Sequence, residues 1–473
     1  MTPAVEAVVK SFAVGLRDVG SKLDVAYYNP RSRGILMSLS SGPFPLTSVG
    51  DIVERENGVR YGIGSPPPIV PKSPDTVPFV RATDIKDGEI VTGNLLHVSA
   101  VQSGKMAKCL LREGELIVVR SGVNTGDCAV VPATLAGSYA AYDLILRVSG
   151  TVLPEFLAAV LYTEVGRVQL DSLKTRSAQP HLSANDLRSI VIPRPPLNVQ
   201  RTMLADLRGE RDSYRRKTKE ADALLYGLDE YVMNQLGLTR PIPDSRAMFA
   251  VPRVGLDGSR LDAHFHKPRF ARLLSELQRM AHKPLGCLIR PSQEQRVPDA
   301  STDAAFLYIE IGSVDRYTGK VTALPVPTSK APSRARMLVR TDDIIVSLTR
   351  PHHGSIALIT GDLDGCVAST GFAVLRDLTD PRVNRCYLWI ALRTQVALQQ
   401  MLQRSSGGNY PAVTEAELLK ILVPIPEPEV QRAIAEEWTA RSKEAARLRA
   451  QAEAEWQAAK ARFEAAILGD KES

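Results

Sequence analysis

The feature that most constrains this chain is that it repeats itself, at a spacing of roughly 230–240 residues. Residues 20–31, GSKLDVAYYNPR, return as GSRLDAHFHKPR at 258–269. VPFVRATDIKDGEIV (77–91) has a looser echo in AAFLYIEIGSVDRYTGKV (304–321), and LLREGELIVVRSG (110–122) is matched in pattern by MLVRTDDIIVSLTR (337–350). The closing blocks agree best: IVIPRPPLNVQRTMLADL (190–207) parallels ILVPIPEPEVQRAIAEEW (421–438). In both, an apolar strand-like run meets a Pro-x-Pro stop, and Val-Gln-Arg then opens a helix. Four blocks in the same order make the 473 residues two copies of one unit.

Each copy divides in two. Its first part mixes short apolar runs with Gly, Pro, Ser and Asn clusters, the pattern of strands and loops, with helical candidates at 153–173 and 381–402. Its second part is one long helix. In the first copy Leu204, Leu207, Arg211, Tyr214, Thr218, Ala221, Leu225, Leu228 and Val232 step by three and four, a heptad seam with polar breaks at Arg211 and Thr218. In the second, Ile434, Trp438, Arg441, Ala445, Leu448, Ala452, Trp456, Ala459, Phe463 and Ile467 do the same, with slips of phase near Trp456 and Ile467. Small seam residues let helices approach closely, so the two are expected to pack as an antiparallel pair, each about 60 Å long. The expected class is α+β: an N-terminal arm (1–20), a first α/β domain (21–197), a first spacer helix (198–236), a second domain (237–427), a second helix (428–468) and a tail (469–473).

Composition excludes several classes. The apolar fraction is 44% and the charged fraction 23%, as in a folded soluble protein. No apolar run is long enough to span a bilayer, and the N-terminus lacks the pattern of a secretory signal. Five scattered cysteines with no C-x-x-C pair speak against a disulfide framework or a zinc knuckle, which makes the cytoplasm the expected compartment. The formal charge of +7 is unevenly placed. Both helices are neutral, residues 1–197 carry +2, residues 237–427 carry +6 and the tail −1.

Catalytic signatures are missing. There is no G-x-x-x-x-G-K-[ST] loop, and Gly62-Ile63-Gly64 runs into prolines that forbid the helix a dinucleotide site requires. Tyr28-Asn29-Pro30-Arg31 matches only the first half of an Asn-Pro-Pro-aromatic base-methylation motif. Asp75, Asp84 and Lys86 fit the loose pattern of a metal-dependent nuclease, in which two carboxylates hold a cation and a lysine assists water. The second copy reads Glu310-Ile311-Gly312 there and lacks the lysine, which favours a strand ending in a turn. His352 and His353 are adjacent, and neighbours on a strand point apart, which is poor geometry for a metal pair.

What remains suits binding. Two loops at matching places follow apolar strands: one with Arg120 and Asn124, the other with Arg350, His352 and His353. Lys174, Arg176, Gln179 and His181 precede LSANDL, and Arg404, Asn409 and Tyr410 precede AVTEAEL. Arg81 and Lys86, in the 77–91 block, complete the candidates. Arg reads guanine, Asn and Gln read adenine, and Lys holds phosphate, so these loops are expected to face double-stranded DNA. A non-DNA scaffold, its coiled coil binding protein helices, is the rival reading.

The order of blocks resembles that of the specificity subunit of type I restriction–modification systems, over residues 20 to 468. The Pro-Arg-Pro-Pro…Gln200-Arg201 and Pro-Ile-Pro…Gln431-Arg432 closes carry the resemblance most specifically. It implies two target-recognition domains that each read one half of a split DNA sequence, and an antiparallel coiled coil that sets the distance between halves. It implies no catalysis and no cofactor in this chain. Two methyltransferase subunits would dock and supply S-adenosylmethionine chemistry on adenine, and restriction subunits, where present, would bring ATP and Mg. Two departures stand out: residues 1–20 lack a counterpart in the second copy, and residues 341–354 match only loosely.

Overall fold

The computed structural model describes residues 13–15, 28–55, 58–100, 104–174, 180–239, 248–251, 260–299, 301 and 304–469. Nearly all of the expected N-terminal arm and all but the first residue of the tail lie outside these. The chain divides into two compact units, residues 1–215 with 453–473, and residues 216–452.

In the first unit the elements run α1 (Pro30–Ser40), β1 (Leu46–Ser48), α2 (Val49–Ile52), β2 (Val59–Tyr61), β3 (Thr76–Val80), β4 (Ile85–Lys86), β5 (Glu89–Ile90), β6 (Leu96–Ser99), β7 (Leu116–Val118), β8 (Cys128–Val130), β9 (Tyr139–Ala140), β10 (Leu144–Leu146), α3 (Pro154–Tyr162), α4 (Glu164–Leu173), α5 (Ala184–Arg188) and β11 (Val191–Pro193), and then enter the long α6 (Leu197–Gln235). The central sheet has the order β2-β10-β7-β8, and a smaller one the order β6-β3-β9. The central strands are apolar on both faces. Leu116, Val118, Leu144 and Leu146 pack on one side with Phe156, Leu161 and Leu170 of α3 and α4, while Ile117, Ala129 and Ile145 pack on the other with Val80 and Ile85. A strand covered on both sides reads as a continuous apolar run, which is why LIVV and LIL lack alternation.

The second unit rebuilds this from a different sequence. After α7 (Pro268–Leu277) come β12 (His282–Pro284), β13 (Ile289–Pro291), β14 (Ala305–Ile309), β15 (Leu324–Pro327), β16 (Ala335–Leu338), β17 (Ile344–Ser347), β18 (Ile356–Leu358), β19 (Val367–Ser369), β20 (Phe372–Leu378), α8 (Arg385–Arg393), α9 (Gln395–Arg404), α10 (Glu415–Leu418) and β21 (Leu422–Pro424), ahead of α11 (Pro428–Leu468). Its central sheet, β13-β20-β17-β18, repeats the first order strand for strand, and β12-β21 repeats β1-β11. The duplication seen in the sequence is thus a duplication of topology.

The matching residues do matching work. Gln200, wholly buried, accepts from the Leu153 amide (2.8 Å) and donates to the Thr151 and Pro195 carbonyls. Gln431 accepts from the Asn384 amide (2.9 Å) and donates to the carbonyls of Arg382 and Pro426. The Gln of each Val-Gln-Arg thus ties the start of a long helix to the loop before α3 or α8. Buried Glu115 holds Arg60 and Arg147, as Asp343 holds Arg376. Burial alone would raise the pKa of Glu115, but hydrogen bonds from Arg60, the Arg112 amide and Arg147 outweigh it and hold the carboxyl below its usual range.

Residues 153–173 and 381–402, expected as single helices, are each two. The apolar pattern runs through the break, but Thr163 takes extended backbone (ψ 169°), donates its hydroxyl to the Val160 carbonyl and caps the Gly166 amide. Thr394 does the same between α8 and α9. The long helices meet the expectation of an antiparallel pair within each unit. In the first, Tyr214 packs on Trp456 and Arg462 reaches back to Asp206 and Glu210. In the second, Ala221 packs with Ala445 and Leu448, Asp222 pairs with Arg449, and Arg441 lies over Tyr231. Every seam residue named above is buried or half-buried, the polar breaks included.

Candidate nucleic-acid interface

In the first unit the strand order creates the site. Because β10 lies between β2 and β7, Tyr61 at the end of β2, Tyr142 just before β10 and Arg120 just after β7 emerge at one edge of the sheet. The Arg120 guanidinium carbon lies 4.8 Å from the Tyr61 ring centre and 4.3 Å from that of Tyr142, with the rings 5.6 Å apart. Its amide donates to Asp143 (3.1 Å), whose burial raises the carboxyl pKa. Nε and Nη1 of Arg120 are buried without a hydrogen-bond partner. Sequence reasoning named the arginine but not the tyrosines, because nothing local reveals which strands are neighbours.

The loop that follows is fastened at its base and open at its tip. The Leu182 amide donates to the Arg120 carbonyl (2.9 Å), the Gly122 amide to that of Pro180 (3.3 Å), and Ser121 Oγ meets His181 Nδ1 at 2.8 Å. The structure therefore brings together Arg120 and His181, candidates from two separate stretches of sequence. Burial, followed by the Arg120 charge, lowers the His181 pKa. Val123 at the tip is fully exposed and Asn124 half-buried. Lys174 pairs with Asp171 (2.6 Å); Arg176 and Gln179 lie outside the described residues.

Arg81 and Lys86 stand apart from that loop. Arg81 holds buried Asp84 through two side-chain bonds, 2.9 and 3.0 Å, so its cation is neutralised at home. Lys86 is exposed on the β4–β5 hairpin, whose tip is tied to α6 through Arg211, which reaches the Asp87 carbonyl and Glu89, and to α3 through Tyr162. Asp84 does have the strand-and-turn setting favoured over a nuclease role. Among the described residues no three His, Cys, Asp or Glu side chains are grouped to hold a metal.

The second unit offers a counterpart with a telling substitution. Its loop is fastened the same way: the Val413 amide donates to the Leu348 carbonyl (2.9 Å) and the Arg350 amide to that of Pro411 (2.7 Å). By these bonds Arg350 stands where the first unit has Gly122, and both take left-handed backbone, φ +47° and +99°. For a residue with a Cβ that conformation costs about 1–3 kcal/mol. The Arg350 guanidinium lies 4.2 Å from the ring centre of Tyr410, which is 69% exposed, and donates to the Asn409 carbonyl (3.1 Å). His352 and His353 occupy the turn after it, rings edge-on at 4.5 Å, with Arg316 reaching His353. Arg350, His353, Asn409 and Tyr410 are therefore gathered. Arg404 is not part of this group: it pairs with Glu417 at 2.9 Å and packs over Phe265. No helix among the described residues is long and apolar enough to cross a membrane.

Comparison with known proteins bears out the resemblance carried by the repeated blocks. The chain is 28% identical over 108 residues to the type I restriction enzyme HindI specificity subunit of Haemophilus influenzae, a match covering 22% of this chain and 23% of that relative. No family model matches. Among solved structures, the HsdS subunit from Thermoanaerobacter tengcongensis aligns over 90% of this chain and 97% of its own, at 18% identity and a TM-score of 0.36. The type I S subunit from M. genitalium aligns over 91% and 97%, at 12% identity and a TM-score of 0.44.

Proposed function

We propose that this chain is the DNA-specificity subunit of a type I restriction–modification assembly, recognising a bipartite duplex target and positioning partner adenine methyltransferases on it. The observation that carries this reading is the pair of fastened loops at the same place in a duplicated domain, each presenting an arginine on a tyrosine ring. Arg120 with His181, and Arg350 with His353, Asn409 and Tyr410, would engage the two half-sites; Asn124, Lys174 and Lys86 are secondary candidates, with Arg176 and Gln179. Arg81 and Arg404 serve the fold first, through Asp84 and Glu417. The chain would contribute recognition without catalysis. S-adenosylmethionine would arrive with the methyltransferase subunits, and ATP and Mg with restriction subunits where these join. The seams of α6 and α11 would act as the ruler between half-sites.

Methylation mapping in cells tests this directly. Expressed with its methyltransferase partners, the chain should direct adenine methylation to one motif with two short half-sites and a fixed gap. Removing one heptad from each long helix should shorten that gap. An unchanged gap would defeat the ruler, and methylation independent of the chain would defeat the reading as a whole.

A further inference from the structure

We infer that each unit reads a guanine in its half-site with a tyrosine-held arginine, Arg120 in the first and Arg350 in the second, and that Tyr61, Tyr142 and Tyr410 are positioning residues for it. The inference rests on the DNA-recognition reading above and narrows it to a base and to five side chains.

Three observations converge on these arginines. The first is unused donor capacity. Many arginines around them are committed: Arg60 and Arg147 to Glu115, Arg167 to Asp127, Arg376 to Asp343. Among the described residues, Arg120 Nε and Nη1 meet no acceptor, and the one acceptor of the Arg350 guanidinium is the carbonyl of Asn409. A buried unpaired donor is costly, so keeping one on a surface loop calls for a reason beyond the fold. The second is orientation. A planar cation against one or two rings has its plane fixed before any partner arrives, and little rotamer freedom is left to lose. The third is the backbone at Arg350. The first unit places glycine at this point of the loop, Gly122, and the second tolerates an arginine in the same left-handed conformation. Strain held at one residue of a duplicated loop, when its sister shows the unstrained solution, points to the side chain as the reason for it.

The ligand class follows from the shape of the cation. A fixed planar fork matches the adjacent O6 and N7 acceptors of guanine in the major groove, the most frequent specific arginine contact with DNA. The same fork can also grip two oxygens of a phosphate, so dependence on the identity of one base is what separates the two ligands.

The experiment uses the full chain assembled with its methyltransferase partners, and duplexes carrying the motif found by methylation mapping. Arg120→Lys should lower affinity for the cognate duplex by about 5- to 150-fold and flatten discrimination at one guanine of one half-site; Arg350→Lys should do so in the other half. Replacing that guanine by 7-deazaguanine, which lacks N7, should weaken the wild-type complex more than the corresponding Lys variant, whose single ammonium has no planar fork. Arg350→Gly adopts the backbone its sister loop already uses, so it should fold at least as stably while losing the same discrimination. Tyr142→Phe should retain recognition and Tyr142→Leu should lose it at the same base as Arg120→Lys, with melting temperature unchanged in both. Loss of affinity that is equal for every base substitution would assign the arginines to phosphate and overturn the inference alone. A wild-type assembly that shows no preference among duplexes would overturn the DNA-recognition reading with it.

Discussion

His352 shows how the second loop is tuned at the level of one residue. Burial, then the neighbouring charges of His353, Arg350 and His264, lowers its pKa below the ordinary 6.5, and Nδ1 is buried without a partner. A group whose folded-state pKa is depressed contributes stability in full above its unfolded value and loses it as pH falls through the folded one. The melting temperature should therefore decline as pH is taken from 7.5 toward 5, and His352→Gln should lessen the decline. Parallel pH profiles for the two proteins would show that His352 is not the group responsible. Why some of these residues were legible in the sequence and others were not is itself a matter of range. Arg120 and Arg350 announce themselves as polar residues closing an apolar strand. Tyr61 and Tyr142 do not, because they reach Arg120 only through the sheet order; Tyr410 is a candidate from sequence, but its meeting with Arg350 across the Thr349–Ala412 bridge is not visible there. Arg81 looked no different from Arg120 in sequence, yet Asp84, three residues on, takes its charge.

At the scale of elements, periodicity served well where one face of a helix is buried and failed where a cap interrupts it. The seams of α6 and α11 follow the heptad reading because burial is continuous along them. Residues 153–173 stay apolar through Thr163, so the break there rests on one hydroxyl bonded to Val160 and Gly166, a signal too small to outweigh the pattern. The Ala-rich part of α11 makes a sharper statement about packing. Ala445 is 1% exposed against Ala221 at 0%, a contact between two small buried side chains. Ala445→Leu should overpack it and cost about 1–3 kcal/mol, seen as a lower urea midpoint. Ala446→Leu, on the exposed side of the same turn, should be close to neutral. A midpoint that is unchanged or raised in Ala445→Leu would mean that the helices do not meet at this level.

At the scale of the whole molecule, duplication supplied two copies of one central sheet and divergence made their charge unequal. The order of the central sheet is shared strand for strand, whereas the charge is +2 over residues 1–197 and +6 over residues 237–427, with neutral helices. Charge over the surface of a chain is a weak argument for any partner, but its difference between two copies of one fold can be measured. Each phosphate neutralised releases counterions, and the slope of log affinity against log salt steepens by about 0.9 per contact in duplex DNA. Consider two duplexes, each with one half-site kept and the other scrambled, bound by the same assembly. In the proposed assembly the same partners are present with both duplexes, so a difference in slope is assigned to this chain. The duplex that retains the half-site read through Arg350 should show the steeper salt dependence, and the one retaining the half-site read through Arg120 the shallower. Equal slopes would mean that the surplus cations of the second copy face solvent, and that base contacts alone distinguish the two halves of the target.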